Sequence, residues 1–390
     1  MASYDVIMIG GGVMACSTAY HLLKKDSTIN IAIIEKDPSY AQSSTVLSDG
    51  NLRLQFNIKE NILMSQYGLE MLARFSEEMA VGDNKPHVSF RQQGNLFLTD
   101  EADVAAAQIG LELQKSLNCQ VEWLSPDAVN KRYPFIDPKT IAGGTFGSQD
   151  GTMDPQAVLM GYKNKAIALG AEYIVGEVVD VLATNQQITG VRLADGSQHQ
   201  CRYAVNSAGA WGTSIARKLW IELPVQPVKR HVFHLETNLN PENTIPLTVF
   251  PSGLYIIQES GKHFTCGKSL PDDPIGFDFT FNRQLFVDSV WEDLLHYIPA
   301  CEQVKVVGGW TGLYAINTFD RNAILGEYPS MKGFMLANGF SGHGFQQCHA
   351  VGRYLAELIL GIELSLDLSI FSPERISNNK PVHENPHKIV

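Results

Sequence analysis

The chain has 390 residues, 44% of them apolar and 18% charged, with a formal net charge of −11 and no run of lysine and arginine. That length suits two modest domains, and the acidic balance argues against nucleic acid or an anionic membrane as partner. No apolar stretch approaches the roughly 18 residues of a membrane span, and Cys16, Cys119, Cys201, Cys266, Cys301 and Cys348 form no CxxC pair or zinc-like cluster. Free thiols and no metal are therefore expected, and an amino terminus that enters an apolar strand with no basic leader reads as that of a cytoplasmic protein or of a processed organellar one.

The first predicted strand covers 4–9 and runs into Gly10-Gly11-Gly12-Val13-Met14-Ala15. This is a GxGxxA dinucleotide fingerprint. Gly10 permits the tight turn, Gly12 lets a pyrophosphate approach the backbone, and Ala15 lets the next helix lie close to the strand. A helix is expected over about 13–23, with Cys16, Ala19 and Leu23 as its apolar stripe. Its first N–H groups, at Val13 and Met14, would face a diphosphate. A second strand over 31–34 ends at Glu35 and Lys36. A carboxylate there suits both ribose hydroxyls and would repel a 2′-phosphate. A glycine turn alone is often structural and a lone Glu35 often solvated, but strand, fingerprint, helix, strand and acid in this order indicate dinucleotide binding.

A nicotinamide-binding domain would continue with another βαβ unit. Instead a small polar loop follows, and Ser43, Ser44, Ser48 and Gly50 supply hydroxyls and bare backbone that would wrap a phosphate chain and reach a flavin ring. A plain surface loop is the alternative. Arg53 comes next, before a helix expected over 59–79. Its guanidinium would grip a substrate carboxylate with two bonds, or pair on the surface with an acid such as Glu60.

Further along, a helix is expected over 156–169, stopped by Gly170, with strands over 172–175, 178–182, 188–193 and 199–203. Ala208 and Gly209 then lead into a helix near Trp211. The aromatic-rich, extended stretches 86–147 and 219–320 read as a mainly antiparallel sheet with flanking helices. Tyr255, Trp310, Tyr314 and Phe340 are candidate walls of an aromatic box, or ordinary core. Lys229 and Arg230 would form a domain-junction salt bridge or place charge above a ring. A strand over 334–337 runs into Gly339-Phe340-Ser341-Gly342-His343-Gly344-Phe345 and a helix over 346–360. One nicotinamide dinucleotide does not need this second glycine-rich turn. A flavin does, because its C2 carbonyl gains negative charge on reduction and a helix amino terminus stabilises it. His343 is either a turn residue or a flavin contact.

The GxGxxA start, Glu35, Asp150-Gly151-Thr152-Met153-Asp154-Pro155, Asn206-Ser207-Ala208-Gly209-Ala210-Trp211 and the GFSGHGF turn together resemble the D-amino-acid-oxidase-like FAD family, within it the sarcosine oxidase/dehydrogenase and glycine oxidase branch. The resemblance runs over nearly the whole chain, to Arg375. It implies an α/β, Rossmann-like FAD-binding domain made of 1–85, 148–218 and 321–376, and a second, α+β substrate domain with a mainly antiparallel sheet, made of 86–147 and 219–320. The polar tail, 377–390, is assigned no chemistry. FAD is the implied cofactor. Val179 would meet the adenine (or is sheet core), Ala208 and Gly209 would lie near the diphosphate, and Trp211, Gly312, Gly339, Ser341, Gly342, Gly344 and Phe345 would also bind the cofactor. Tyr255 and Tyr314 match positions that line the substrate pocket.

Three departures from that branch matter. The cysteine that bonds flavin covalently in monomeric sarcosine oxidases is Gly312 here, so FAD should be held non-covalently. Their carboxylate-holding lysine is Gln346, which offers one neutral hydrogen bond. Their oxygen-activating lysine falls at Thr265, with Lys262 and Lys268 as sequence neighbours. The expected activity is hydride removal from the C–H beside the nitrogen of a secondary amine or amino acid, giving an imine, by a dehydrogenase rather than an oxidase. Alternatives are a 2-hydroxy-acid dehydrogenase, which needs His343 or His349 as base, and a flavin-bearing assembly protein without turnover. The expected partners are a small-molecule substrate and an unassigned acceptor.

Overall fold

A computed structural model describes residues 2–239, 241 and 244–384. Its first strand, Ala2–Ile9, has Val6, Ile7, Met8 and Ile9 at most 2% exposed. A strand buried on both faces belongs in the middle of a parallel sheet. It pairs in parallel with Ile31–Glu35 on one side and Gln198–Asn206 on the other. Glu172–Val175 extends the sheet beyond Ile31–Glu35, and Phe334–Asn338 extends it beyond Gln198–Asn206, both in parallel. Ile324–Glu327 closes one edge antiparallel, and the ribbon Val178–Thr184 and Gln187–Leu193 hangs antiparallel from Gln198–Asn206. The strand expected over 199–203 thus continues to Asn206.

The fingerprint helix, Val13–Lys25, departs from its expected single apolar stripe. Every residue from Val13 to Leu23 is buried. The helices Pro155–Ala168 and Gly344–Leu360 pack on it from two sides. Ser17 donates its hydroxyl proton to the Cys348 carbonyl at 2.9 Å, and a Cβ on Gly352 would come within 2.2 Å of Ser17 Oγ. A helix sandwiched this closely shows no amphipathic pattern.

The second sheet has eight strands in the order Lys305–Asn317, Val225–Glu236, His263–Lys268, Leu254–Ser260, Leu247–Val249, Asn95–Thr99, Gly143–Gly147, Val121–Leu124. Every pairing is antiparallel except that of Leu247–Val249 with Asn95–Thr99. Alternate residues face opposite ways. Leu254, Ile256, Phe264 and Cys266 enter a core shared with Phe286, Leu294 and Ile298, while Leu247, Val249, Tyr255 and Ile257 form a separate cluster on the other face.

All six cysteines are buried and free. Among the described residues no helix is long and apolar enough to cross a membrane. The described part of the polar tail is not idle. Val382 donates to Asp320 and accepts from Asn322, and Glu384 accepts from the Asn57 N–H and from Asn61. The rest of that tail, 385–390, lies outside the described residues.

Candidate functional site

The site is a cavity where the carboxyl ends of the parallel strands meet the second sheet. At one end Gly10, at φ 90°, makes the expected tight turn, and a Cβ there would meet the Ser207 carbonyl at 3.0 Å. The helices Val13–Lys25 and Gly344–Leu360 both begin without a side-chain cap, at Gly12 and His343. Their first turns line the same cavity, giving two positive helix ends in one space, with the Val13 N–H taken by Thr45 Oγ1 at 3.3 Å.

The wall takes in Gly10, Gly12, Val13, Met14, Glu35, Lys36, Ser43, Ser44 and Ser48 from the amino-terminal part, and Val179, Ala208, Gly209 and Trp211 from the middle. Gly312, Ser341, Gly342, His343, Gly344 and Phe345 join them around the second glycine turn, with Arg53, Tyr255, Tyr314, Phe340 and Gln346 at that end. Glu35 accepts from the Gly11 N–H at 2.6 Å and the Asp37 N–H at 2.9 Å, one on each oxygen, which leaves a lone pair on each for a ribose hydroxyl. The Lys36 ammonium lies 4.0 Å over the Trp211 ring. Ser44 donates to the Leu313 carbonyl, so its proton is already committed.

Three expectations fail on geometry. Gly50 is not in the wall. At φ 67° it forms the corner before the short ladder Asn51–Leu52, and a Cβ would lie 2.0 Å from the Met153 carbonyl. Gly339, at φ 68°, packs against Asn317 and Val225 instead of the cavity. Trp310 donates its indole N–H to the Leu47 carbonyl at 3.0 Å, pinning the polar loop rather than lining a box.

At the opposite end Arg53 is 7% exposed. Its backbone N–H donates to Gln346 Oε1 at 2.9 Å, and one guanidinium nitrogen lies 3.3 Å from His343 Nε2. The guanidinium faces Phe56 at 4.7 Å and Phe97 at 5.2 Å. Its Nε has no partner among the described residues, and no carboxylate there comes within ion-pair distance, so the surface pairing with Glu60 is not realised. Burial, and then Arg53 itself, holds His343 well below the ordinary imidazole range, so this ring is neutral and accepts from the arginine. Gln346 spends its oxygen on the Arg53 backbone, leaving its amide N–H₂ as the donor end.

Tyr255 donates to Asp49 Oδ2 at 2.7 Å. Burial is the main cause that pushes the Asp49 carboxyl up to about 6; the Tyr255 bond opposes it. Tyr314 lies under the Arg230 guanidinium at 5.4 Å. Lys229 is paired with Asp278 and Arg230 with Asp273, the salt-bridge alternative, although Arg230 also reaches the wall. Thr265 is not in the wall and bonds Glu259 at 3.3 Å; Lys268 is, with its ammonium 2.7 Å from Asp293. His349 is buried away from the cavity on the Tyr162 hydroxyl at 2.7 Å. A second cavity adjoins the first through Arg53, Arg230, Tyr314 and His343, and extends past Phe97 and Ile316 to Arg321 and Glu384.

Sequence reasoning did not single out Asp49, Thr45 or Glu384, and it treated Lys268 only as a neighbour. Asp49 had a signal, its place in the loop between Ser48 and Gly50. Thr45, whose hydroxyl receives the Val13 N–H at 3.3 Å, stood in the quoted polar run. Glu384 had none, because its partners are far away in sequence.

The two helix ends and a carboxylate with a lone pair left on each oxygen fit FAD, and a buried arginine stands in the same cavity. The model of the FAD-dependent oxidoreductase family called DAO matches residues 5–358. FAD-dependent oxidoreductase domain-containing protein 1 of Xenopus laevis is 32% identical, over 97% of this chain and 84% of its own length. Monomeric sarcosine oxidase of a Bacillus species is 26% identical, over 95% of this chain and 96% of its own. L-proline dehydrogenase from P. horikoshii shares the fold at a TM-score of 0.87 and 24% identity, over 98% of this chain and 100% of that one. The chain belongs to the DAO family of FAD-dependent oxidoreductases, and FAD is its cofactor.

Proposed function

We propose that the protein oxidises a secondary amine or amino acid carrying a carboxylate, removing a hydride from the C–H beside nitrogen to leave an imine, and that it passes the electrons on as a dehydrogenase. FAD, when bound, supplies the two-electron acceptor. The carrying observation is Arg53, buried in the cavity wall with an unpaired Nε and no ion pair among the described residues. A buried cation without a counter-ion is costly, and a carboxylate ligand removes that cost. Gln346 orients the arginine through its backbone and offers its own N–H₂ to the same carboxylate. Tyr255, Tyr314 and Phe340 shape the space and exclude water, so that a C–H bond is held against the ring. Sarcosine oxidase, glycine oxidase and L-proline dehydrogenase, the names borne by relatives, all point to substrates with a carboxylate one carbon from the amine.

On this reading the parallel sheet, from 1–85, 148–218 and 321–376, holds the cofactor, and the antiparallel sheet, from 86–147 and 219–320, faces the substrate. The dehydrogenase assignment rests on charge. Lys268, the wall lysine on the strand that carries Thr265, is paired with Asp293, which weakens its ability to stabilise developing superoxide. The 2-hydroxy-acid reading lacks a base: His343 Nε2 is engaged by Arg53, and His349 lies in the core. Anaerobic mixing of the oxidised holoprotein with a panel of amines, followed by the flavin absorbance, tests the proposal. Bleaching by N-alkyl amino acids supports it; a flavin unmoved by every amine contradicts it, and a 2-hydroxy acid added next separates the other dehydrogenase from a carrier without turnover.

A further inference from the structure

The amine of such a substrate is an ammonium in water and has to lose a proton before a hydride can leave the neighbouring carbon. We infer that Asp49 is the group that receives this proton, a role that rests on the amine reading above. Four carboxylates line the cavity: Glu35, Asp37, Asp49 and Glu177. Glu35 and Asp37 sit at the ribose position, and Glu177 lies beside Gly176, whose N–H donates to the Glu35 carbonyl. Among the described residues Asp49 is therefore the one wall carboxylate at the Arg53 end.

Its geometry suits the task. Oδ2 is held by the Tyr255 hydroxyl at 2.7 Å, which fixes the side chain, while Oδ1 has no protein donor among the described residues and Asp49 lines the cavity. A carboxylate locked at one oxygen and free at the other is a positioned base. The charged and titratable groups facing it are Tyr255 and Glu259 on Leu254–Ser260, Cys266 on His263–Lys268, and Tyr314 on Lys305–Asn317. Glu259, itself paired with Arg91 at 3.4 Å, adds a partly compensated negative charge that favours proton uptake by Asp49.

The step is balanced without a further reagent. The N–H bond of the ammonium breaks, its electron pair stays on nitrogen, and an O–H bond forms on Asp49 Oδ1. Neither group is oxidised or reduced. In water an alkylammonium outcompetes a carboxyl near 6 by about four pKa units. Burial disfavours the ammonium, by as much as about 3–5 units in enclosed sites. The two groups are thereby brought within range of each other.

The test uses FAD-loaded protein and sarcosine as probe. At saturating amine the anaerobic reduction rate of the parent should fall on the acid side with a midpoint near 6. Asp49→Asn should be at least about a hundredfold slower and lack that acid limb, with partial recovery in Asp49→Glu. Affinity for (methylthio)acetate, which has sulfur in place of nitrogen and no proton to give, should change less than about threefold; it is read from the flavin spectrum without turnover. Tyr255→Phe removes a donor that favours ionised Asp49, so its limb should move to higher pH. Asp49→Asn with the parental rate and limb overturns the assignment while leaving the amine reading intact. If Asp49→Asn fails to retain flavin, a Tyr255→Phe limb at the parental pH overturns it instead. A parent that no amine reduces overturns the amine reading itself, and this role with it.

Discussion

Replacing Arg53 by Met separates a ligand-binding arginine from a structural one. The side chain has no ion pair among the described residues, one 3.3 Å contact to His343 and an unpartnered Nε. Its favourable protein contacts are the faces of Phe56 and Phe97, each worth about 1–2 kcal/mol when desolvated. Against these stands the cost of burying an unsatisfied donor, about 1–3 kcal/mol. Arg53→Met should therefore change folding stability by no more than about 2 kcal/mol, since methionine keeps much of the apolar contact. Ligand binding should suffer far more. Two charge-assisted bonds to a carboxylate, at roughly 1.5–3 kcal/mol each, amount to at least about 3 kcal/mol, or a hundredfold or more in affinity. Titration of the holoprotein with (methylthio)acetate, beside urea denaturation of both proteins, reads the two effects. A stability loss of about 3–5 kcal/mol, as for a broken buried ion pair, or an affinity change under about fivefold, would refute the anchoring role.

Glu35→Gln should weaken FAD retention, because each charge-assisted ribose bond is worth roughly 1.5–3 kcal/mol; dialysis with flavin counting checks it, and unchanged retention makes Glu35 a backbone brace for Gly11. Acid precipitation should release all flavin into the supernatant, since Gly312 offers no bonding atom; colour on the pellet contradicts this. Burial lowers His349 to about 3, below its ordinary 6.5, so the unfolded chain takes up the proton first. Its contribution is complete above pH 6.5 and is lost as pH falls from there towards 3, about 2 kcal/mol by pH 5. His349→Gln should flatten that slope in urea titrations, and an unchanged slope assigns the acid sensitivity elsewhere. The reduced protein should react slowly with oxygen, and Asp293→Asn, which frees the Lys268 ammonium, should quicken it in stopped-flow; fast reoxidation of the parent contradicts the dehydrogenase assignment.

The cofactor end was legible in the sequence because its chemistry is local. Gly10, Gly12 and Glu35 lie at the ends of adjacent parallel strands, and strand, turn and helix signals stand within a few residues of each other. The same kind of signal misled at Gly50, because a positive-φ glycine looks alike in a phosphate loop and in the corner against Met153. The fingerprint helix hid its burial because two other helices cover its remaining faces, and no periodicity records that. On the antiparallel sheet the sequence could not tell Thr265 from Lys268, since which residue reaches a cavity depends on where the strand ends against it. Trp310 was ambiguous for the same reason. Glu384 and the partnership of Asp49 with Tyr255 arise only when distant segments meet.

Anaerobic reduction of the bound flavin by N-alkyl amino acids tests the central claim most directly. Sarcosine, L-proline and larger N-substituted glycines should bleach the oxidised absorbance, the amine being consumed in one-to-one ratio with flavin and an imine-derived carbonyl appearing. Flavin that stays oxidised with every such amine, yet is reduced by a 2-hydroxy acid or by nothing, would contradict it.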